Sequence, residues 1–176
     1  MGILEEEKHI SLKEFEEFRE KNEIRAELIL GQIYMMASPS ARHQDIVGNI
    51  FFKLRQNKSK ECFPRIAPFD IRLRVDNQIN ILQPDVMLFC EDDLCAVFEV
   101  LSPSTAHKDM GVKKYIYQKA GVKEYFLVSD EYKTIEKFEL LNNKFELVNV
   151  YGIDDILDVN CMNIKIKVSE IFEWLK

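Results

Sequence analysis

The stretch QPDVMLFCEDDLCAVFEVL, residues 83–101, places two acids inside apolar segments of the kind that form buried strands. Asp85 and Glu99 lie fourteen residues apart, on either side of the polar turn at residues 91–93. A carboxylate inside a buried strand is costly unless it is paired or binds a cation. We therefore expect the two strands to bring Asp85 and Glu99 onto one divalent ion, Mg²⁺ or Mn²⁺.

The composition is that of an ordinary globular domain, with 47% apolar and 31% charged side chains among 176 residues. This length can bury one core, so we predict a single domain over residues 1–176. Apolar runs stay well below the roughly 18 residues that span a bilayer. Residues 1–7 do not show the basic-then-apolar pattern of a signal peptide. We expect a cytoplasmic protein without membrane contacts.

The net charge and the cysteine spacing argue against two further kinds of site, a basic nucleic-acid-binding surface and structural zinc. The net charge of −6 argues against a basic nucleic-acid-binding coat, although a cleft can be locally basic. The four cysteines lack C-x-x-C spacing and a nearby histidine pair, which argues against structural zinc. We expect them to be reduced, small apolar fillers; the alternative is that a hairpin brings Cys90 and Cys95 face to face.

Hydrophobic periodicity predicts an α/β fold with a mixed β-sheet flanked by helices and an N-terminal hairpin. One predicted helix begins at Leu12, after a Ser11–Glu14 capping box. A second follows the breaker at residues 38–40 and has its apolar positions between residues 47 and 54, and two more cover residues 108–120 and 168–174. The predicted strands cover residues 66–75, 84–90, 94–101 and 124–129, and hairpins cover residues 24–37, turning at Leu30–Gly31, and 134–150.

A lysine completes the acidic pair. The apolar face of the helix over residues 108–120 is predicted to contain Met110, Val112, Ile116, Tyr117 and Ala120. At about 100° per residue, Lys113 falls on that face and Lys114 falls outside it. A lysine on the core side needs a carboxylate partner, and Asp85 and Glu99 are the candidates. Its ammonium could orient a metal-bound water or offset charge developing on phosphorus.

An ordered set of short motifs runs along the chain. They are residues 26–40 with His43, 67–73, 83–85, 98–105, 109–113, Tyr117 and 120–125. Together they resemble the Uma-type restriction endonucleases, which belong to the PD-(D/E)XK nuclease superfamily. The resemblance covers roughly residues 10–172. The chain departs from the family pattern at Leu30 in the first turn, in the short segment between Asp85 and Glu99, and at Phe126.

The resemblance implies a restriction-endonuclease-like fold and Mg²⁺-dependent cleavage of DNA phosphodiesters. It implies that Asp85 and Glu99 are metal ligands, and that Lys113 is the catalytic lysine, moved from the strand to the helix. Glu27 and His43 match further family positions and would line the same pocket. From the residues alone, Glu27 is as readily a solvated acid on an edge-like hairpin, and His43 a packed residue in a first helical turn.

Two other functions stay open. A catalytically inactive nuclease-fold module that binds nucleic acid or protein fits the net charge of −6. A nuclease acting on RNA or on a nucleotide-like molecule would use the same residues. On fold analogy we expect a homodimer, in which Ile171, Phe172 and Trp174 lie either at the interface or in the core.

Overall fold

The computed structural model describes residues 9–57, 61–102 and 106–174, so the motif residues 103–105 and the N-terminal residues 1–8 lie outside it. The helices are α1 (Leu12–Asn22), α2 (Ala41–Gln56), α3 (Ala106–Lys108), α4 (Lys114–Lys119) and α5 (Val168–Ile171), with a π-helical turn (Asp109–Lys113) between α3 and α4 and a 3₁₀ turn (Asn160–Met162). The strands are β1 (Ala26–Ile29), β2 (Gln32–Met35), β3 (Cys62–Ile66), β4 (Ile71–Val75), β5 (Gln78–Leu82), β6 (Val86–Cys90), β7 (Asp93–Val100), β8 (Glu124–Ser129), β9 (Thr134–Leu141), β10 (Lys144–Tyr151), β11 (Ile156–Val159) and β12 (Ile164–Lys167).

The described strands form three sheets. The largest has the order β10-β9-β8-β7-β6-β3, and β7 and β8 run parallel while its other neighbours are antiparallel. A four-stranded antiparallel sheet has the order β2-β1-β5-β4, and β11 pairs with β12. This mixed sheet flanked by helices confirms the predicted α/β class. A single domain over residues 1–176 stays a prediction.

The helices cover both faces of the six-stranded sheet. On one face, α2 places Val47, Ile50 and Leu54 against the sheet, and on the other α4 buries Ile116 and Tyr117. The four-stranded sheet packs on the α4 side, and α1 covers its outer face through Phe15. The space between the two sheets is therefore bordered by the segment that runs from α3 to α4.

The predicted strand over residues 66–75 is wrong, because two strands of different sheets occupy this stretch. β3 ends at Ile66 in the six-stranded sheet, and β4 begins at Ile71 in the four-stranded sheet. Asp76 and Asn77 then adopt left-handed φ values of 48° and 60°, the geometry of a tight hairpin turn, and lead into β5. β5 was not predicted from the sequence.

The C-terminal region also differs from the prediction. The strands β11 and β12 were not predicted, and α5 ends at Ile171 rather than at residue 174. Ile171 and Phe172 are buried in the core, so core packing is the correct alternative for both. Trp174 is 54% exposed and stacks with the Arg42 guanidinium at 3.9 Å. No helix in the described ranges is long and apolar enough to cross a membrane.

The prediction of reduced cysteines is wrong for this structure, which contains two disulfides. Cys62 pairs with Cys90, its directly opposite neighbour on β3 and β6, and Cys95 pairs with Cys161 in the 3₁₀ turn. Cys90 and Cys95 do not meet, because the turn between β6 and β7 sets Cys90 opposite Asp93. Cross-strand neighbours of this kind depend on register between distant strands, which cysteine spacing does not show.

Candidate active site

Asp85 and Glu99 meet at one end of the β6–β7 hairpin. Asp85 directly precedes β6 rather than lying inside it, and Glu99 is the second-last residue of β7. The backbone N–H of Val100 donates to Asp85 Oδ2 at 2.8 Å, and the N–H of Asp85 approaches Glu99 Oε2 at 3.4 Å. A backbone N–H thus faces each carboxylate, from Val100 for Asp85 and from Asp85 for Glu99. The two predicted metal ligands converge as the sequence analysis expected.

Lys113 lies at the centre of a buried acidic cluster. Its Nζ is 2.9 Å from Glu99 Oε1, 3.0 Å from Glu27 Oε1 and 3.4 Å from Asp109 Oδ1. Burial alone would lower the pKa of Lys113, but Glu99, Glu27 and Asp109 outweigh it and raise this pKa well above its usual value. Lys113 therefore carries its charge throughout the neutral range. Burial raises the pKa of Glu99, and Lys113 opposes that rise.

The helix-face argument that favoured Lys113 over Lys114 agrees with the structure. Lys114 Nζ lies 3.3 Å from the centroid of the Phe138 ring, outside the acidic cluster. The predicted apolar face is wrong at its two ends, because Met110 is 55% exposed and Ala120 is exposed. The face was drawn for a regular α-helix, whereas this segment begins with a π turn.

Glu27 is a buried pocket residue and not a solvated edge acid. Its strand β1 lies inside the four-stranded sheet, between β2 and β5, so the edge-like hairpin reading is wrong. Alternation along β1 places Leu28 against α1 and Glu27 on the opposite, inner side. Glu27 accepts hydrogen bonds from Gln83 N at 2.9 Å and Lys108 Nζ at 3.4 Å, besides its contact with Lys113.

His43 reaches the same cluster from the first turn of α2. Ser40 caps this helix by accepting a hydrogen bond from His43 N at 3.1 Å. His43 Nε2 lies 3.2 Å from Asp85 Oδ2. Burial would lower the pKa of His43, but Asp85 and the backbone of Val100 outweigh it and raise this pKa. All five sequence-predicted site residues are therefore brought together.

Four further residues of the cluster were missed by the sequence analysis. Asp109 is buried four residues before Lys113, a spacing that the i,i+4 rule could have identified. Tyr117 donates its hydroxyl hydrogen bond to Glu99 Oε1 at 2.8 Å, and Tyr125 donates to the Asp109 carbonyl at 2.8 Å. Lys108 and these tyrosines are ordinary in the sequence, where a tyrosine in an apolar segment reads as core.

The cluster lines a cavity of about 760 Å³ between the two large sheets, α2 and the π turn. Its charged lining residues are the acids Glu27, Asp85, Glu99 and Asp109, the cations Arg25, Lys108 and Lys113, and the neighbouring His43. The described residues contain no group of three or more His, Cys, Asp or Glu side chains arranged to hold a metal. The Asp85–Glu99 pair nevertheless fits Mg²⁺, which binds proteins through one or two carboxylates and keeps several waters.

A solved structure shares this fold, and a further protein is similar in sequence. A crystal structure from Anabaena variabilis, described as "a putative nuclease belonging to DUF820", matches with a TM-score of 0.73 at 16% identity, covering 93% of this chain and 97% of that chain. At this identity the match shows a shared fold, and it confirms the predicted nuclease-like fold. The uncharacterized protein slr1290 of Synechocystis sp. is 26% identical over 180 residues, 94% of this chain and 93% of its own length.

A family model gives the broader relationship. The Uma2 model, described as "Putative restriction endonuclease", matches residues 12–169. This range includes every residue of the acidic cluster and nearly all of the described fold. Because the match spans well over half of the chain, the protein belongs to the Uma2 family of nuclease-like proteins.

Proposed function

We propose that this protein is a Mg²⁺-dependent endonuclease that hydrolyses DNA phosphodiester bonds. The observation that carries the proposal is the convergence of Asp85 and Glu99 beside a charged, buried lysine, whose Nζ lies 2.9 Å from Glu99 Oε1. Hard carboxylate oxygens suit Mg²⁺, and Mn²⁺ accepts the same ligands. The nuclease family supplies the substrate class, and its restriction-endonuclease description favours DNA.

In this proposal Asp85 and Glu99 hold the ion, which when bound lowers the pKa of a water and polarises a phosphate oxygen. The backbone N–H of Val100 fixes Asp85, and the Tyr117 hydroxyl fixes Glu99. Burial also raises the pKa of Tyr117, so its hydroxyl remains a donor. Both carboxylates are thus oriented before any ligand arrives.

Lys113 acts through its charge. Its pKa is raised well above the usual value by three carboxylates, so it does not serve as a base at neutral pH. A fixed, buried ammonium beside the proposed metal ligands stabilises negative charge that develops on phosphorus. His43 acts on the other side of the pair, where its Nε2 lies 3.2 Å from Asp85 Oδ2 and helps to orient that carboxylate.

Cleavage of supercoiled plasmid with Mg²⁺ or Mn²⁺ tests the proposal. We expect Asp85→Ala, Glu99→Gln and Lys113→Met each to lower the rate at least about 100-fold, as loss of a group that stabilises the transition state does. Asp154→Ala removes an exposed acid outside the cavity and should cleave like the wild type. A wild-type rate no higher than that of Asp85→Ala would refute the proposed activity.

Calorimetric titration with Mg²⁺ and Mn²⁺ separates the enzyme from an inactive nuclease-fold module. The proposal expects binding that Glu99→Ala abolishes. Absence of metal binding, or binding unchanged in Glu99→Ala, supports the module instead. Faster cleavage of RNA than of DNA would show that RNA is the substrate, and the proposed metal-dependent hydrolysis would stay the same.

We also propose a homodimer, since cutting both strands of a duplex is served by two sites. Ile171 and Phe172 are in the core, which leaves the half-exposed Trp174 as the part of the predicted interface that a partner could contact. Light scattering should give twice the mass of one 20.7 kDa chain. A monomer mass at the concentrations that support cleavage would contradict this.

A further inference from the structure

The π turn between α3 and α4 brings two lysines to one carboxylate. In a regular α-helix, residues five apart lie about 140° apart around the axis, on different sides. Here Lys113 Nζ is 3.0 Å from Glu27 Oε1, and Lys108 Nζ is 3.4 Å from Glu27 Oε2. The wider turn over Asp109–Lys113 makes this double contact possible, and π turns often occur at functional sites. The Tyr125 hydroxyl anchors the turn through the Asp109 carbonyl at 2.8 Å.

The two lysines differ in how fully they are engaged. The Lys113 side chain is 4% exposed, and its Nζ lies within 3.4 Å of three carboxylates, with a hydrogen bond to Glu99 Oε1 at 2.9 Å. The Lys108 side chain is 17% exposed and, within the described part of the chain, contacts the carboxylate of Glu27 alone. It also lies 5.1 Å from the Tyr34 ring. Lys108 is therefore the more accessible of the two lysines and has fewer carboxylate partners among the described residues.

A nucleic acid entering this cavity needs such a cation. Four carboxylates line the cavity and repel phosphate, and the charge of Lys113 is already shared among three of them. The third cationic residue, Arg25, donates through Nη2 and Nε to Gln83 Oε1 at 2.9 and 3.2 Å. Of the two described lysines that line the cavity, Lys108 has the longer nearest contact, 3.4 Å to Glu27 against 2.9 Å from Lys113 to Glu99, and it has fewer carboxylates to leave.

We propose that Lys108 binds a backbone phosphate of the nucleic-acid substrate, leaving Glu27 when the substrate enters. A lysine suits this task, because its ammonium moves on a flexible four-carbon stem. Glu27 keeps the Gln83 N–H at 2.9 Å and Lys113 at 3.0 Å, so its buried charge stays compensated when Lys108 leaves. This inference rests on the proposed nuclease function and adds a substrate-binding residue to it.

Steady-state cleavage and duplex binding of Lys108→Met test the inference. Loss of a charge-assisted hydrogen bond should raise KM about tenfold, with kcat nearly unchanged. The slope of log binding constant against log salt, measured by anisotropy with a labelled DNA duplex in EDTA, should become shallower by about 0.9, the value for one phosphate contact. Lys108→Arg should restore most of both values. Lys119→Met removes a lysine of α4 outside the cavity and should match the wild type.

The outcomes separate this inference from the proposed function. If the wild type cleaves DNA in an Asp85-dependent way, but Lys108→Met leaves KM and the salt slope unchanged, the role of Lys108 is wrong and the nuclease stands. A lower kcat with unchanged KM, together with a lower melting temperature, would show that Lys108 only supports Glu27. If the wild type binds DNA without cleaving it, the salt slope still decides the role of Lys108. A wild type that neither binds nor cleaves overturns both.

Discussion

Replacing Lys113 with methionine tests the buried network through stability, independently of any substrate. Methionine keeps the length and much of the volume of the side chain but removes the ammonium. Glu27, Glu99 and Asp109, all within 3.4 Å of that ammonium, would lose the cation they share. Their side chains are at most 3% exposed, so water replaces little of the lost interaction.

The expected cost follows from this burial. Removing one partner of a buried ion pair destabilises a protein by about 3–5 kcal/mol, since the remaining charge is left uncompensated. For a chain of this size that corresponds to a drop in melting temperature of roughly 6–20 °C. Glu99 limits the loss, because burial already raises its pKa and it can take up a proton. We therefore expect about 3 kcal/mol at pH 7.

The neighbouring Lys114 provides a matched control on the same helix. Its Nζ lies over the Phe138 ring at 3.3 Å and outside the acidic cluster. Cation–π contacts contribute about 0.5–2 kcal/mol, so Lys114→Met should cost clearly less than Lys113→Met. The two variants remove the same charge from adjacent positions and differ chiefly in the carboxylates they leave behind.

Urea unfolding followed by circular dichroism measures both variants. The double variant Lys113→Met/Glu27→Gln should recover part of the loss, because one uncompensated carboxylate has been removed. Equal stability of Lys113→Met and Lys114→Met would refute the buried network, and with it the argument that Lys113 is held charged at the site.

Two further predictions concern the support of the site and the disulfides. Tyr117→Phe removes the hydroxyl that donates to Glu99 Oε1 at 2.8 Å. Because a hydrogen bond to a charged group contributes about 1.5–3 kcal/mol, the variant should lose about that much free energy of unfolding in urea. Stability equal to that of the wild type would show that this bond is not formed. The Cys95–Cys161 disulfide joins residues with a sequence separation of 66, so Cys95→Ser/Cys161→Ser should lower the free energy of unfolding by about 4 kcal/mol. Dithiothreitol should destabilise the wild type and affect this double variant less. Alkylation of all four cysteines in unfolded, unreduced protein, read by mass spectrometry, would contradict both disulfides.

The metal pair and its lysine could be predicted because their geometry is local. Asp85 and Glu99 lie on one hairpin, so pairing of neighbouring strands suffices to bring them together. Lys113 follows from helix periodicity, and Asp109 could have followed from the same rule at i,i+4. For these residues the information lies within about thirty positions of chain.

The burial of Glu27 and the position of Lys108 in the cavity could not be predicted from the sequence, for different reasons. The strand of Glu27 is internal because β5 lies beside β1, and no strand was predicted where β5 lies. Alternation along β1 separates its side chains into two faces but does not show which face points into the protein. That depends on the pairing of β1 with β5, about fifty residues further along the chain. Because β5 was not predicted, the sequence indicated an edge strand at β1, on which Glu27 would be a solvated acid.

Lys108 depends on a feature that has no periodic signature. A helix of 3.6 residues per turn separates Lys108 from Lys113 by about 140°, and periodicity analysis assumes that turn throughout. The π turn changes the angle over five residues, too few to alter a hydrophobic pattern. The turn directly follows Lys108, which we propose binds phosphate, and ends at Lys113, the proposed catalytic lysine. It lets one short helical segment bring two lysines to Glu27, a buried one with three carboxylates nearby and a more exposed one with, among the described residues, a single carboxylate nearby.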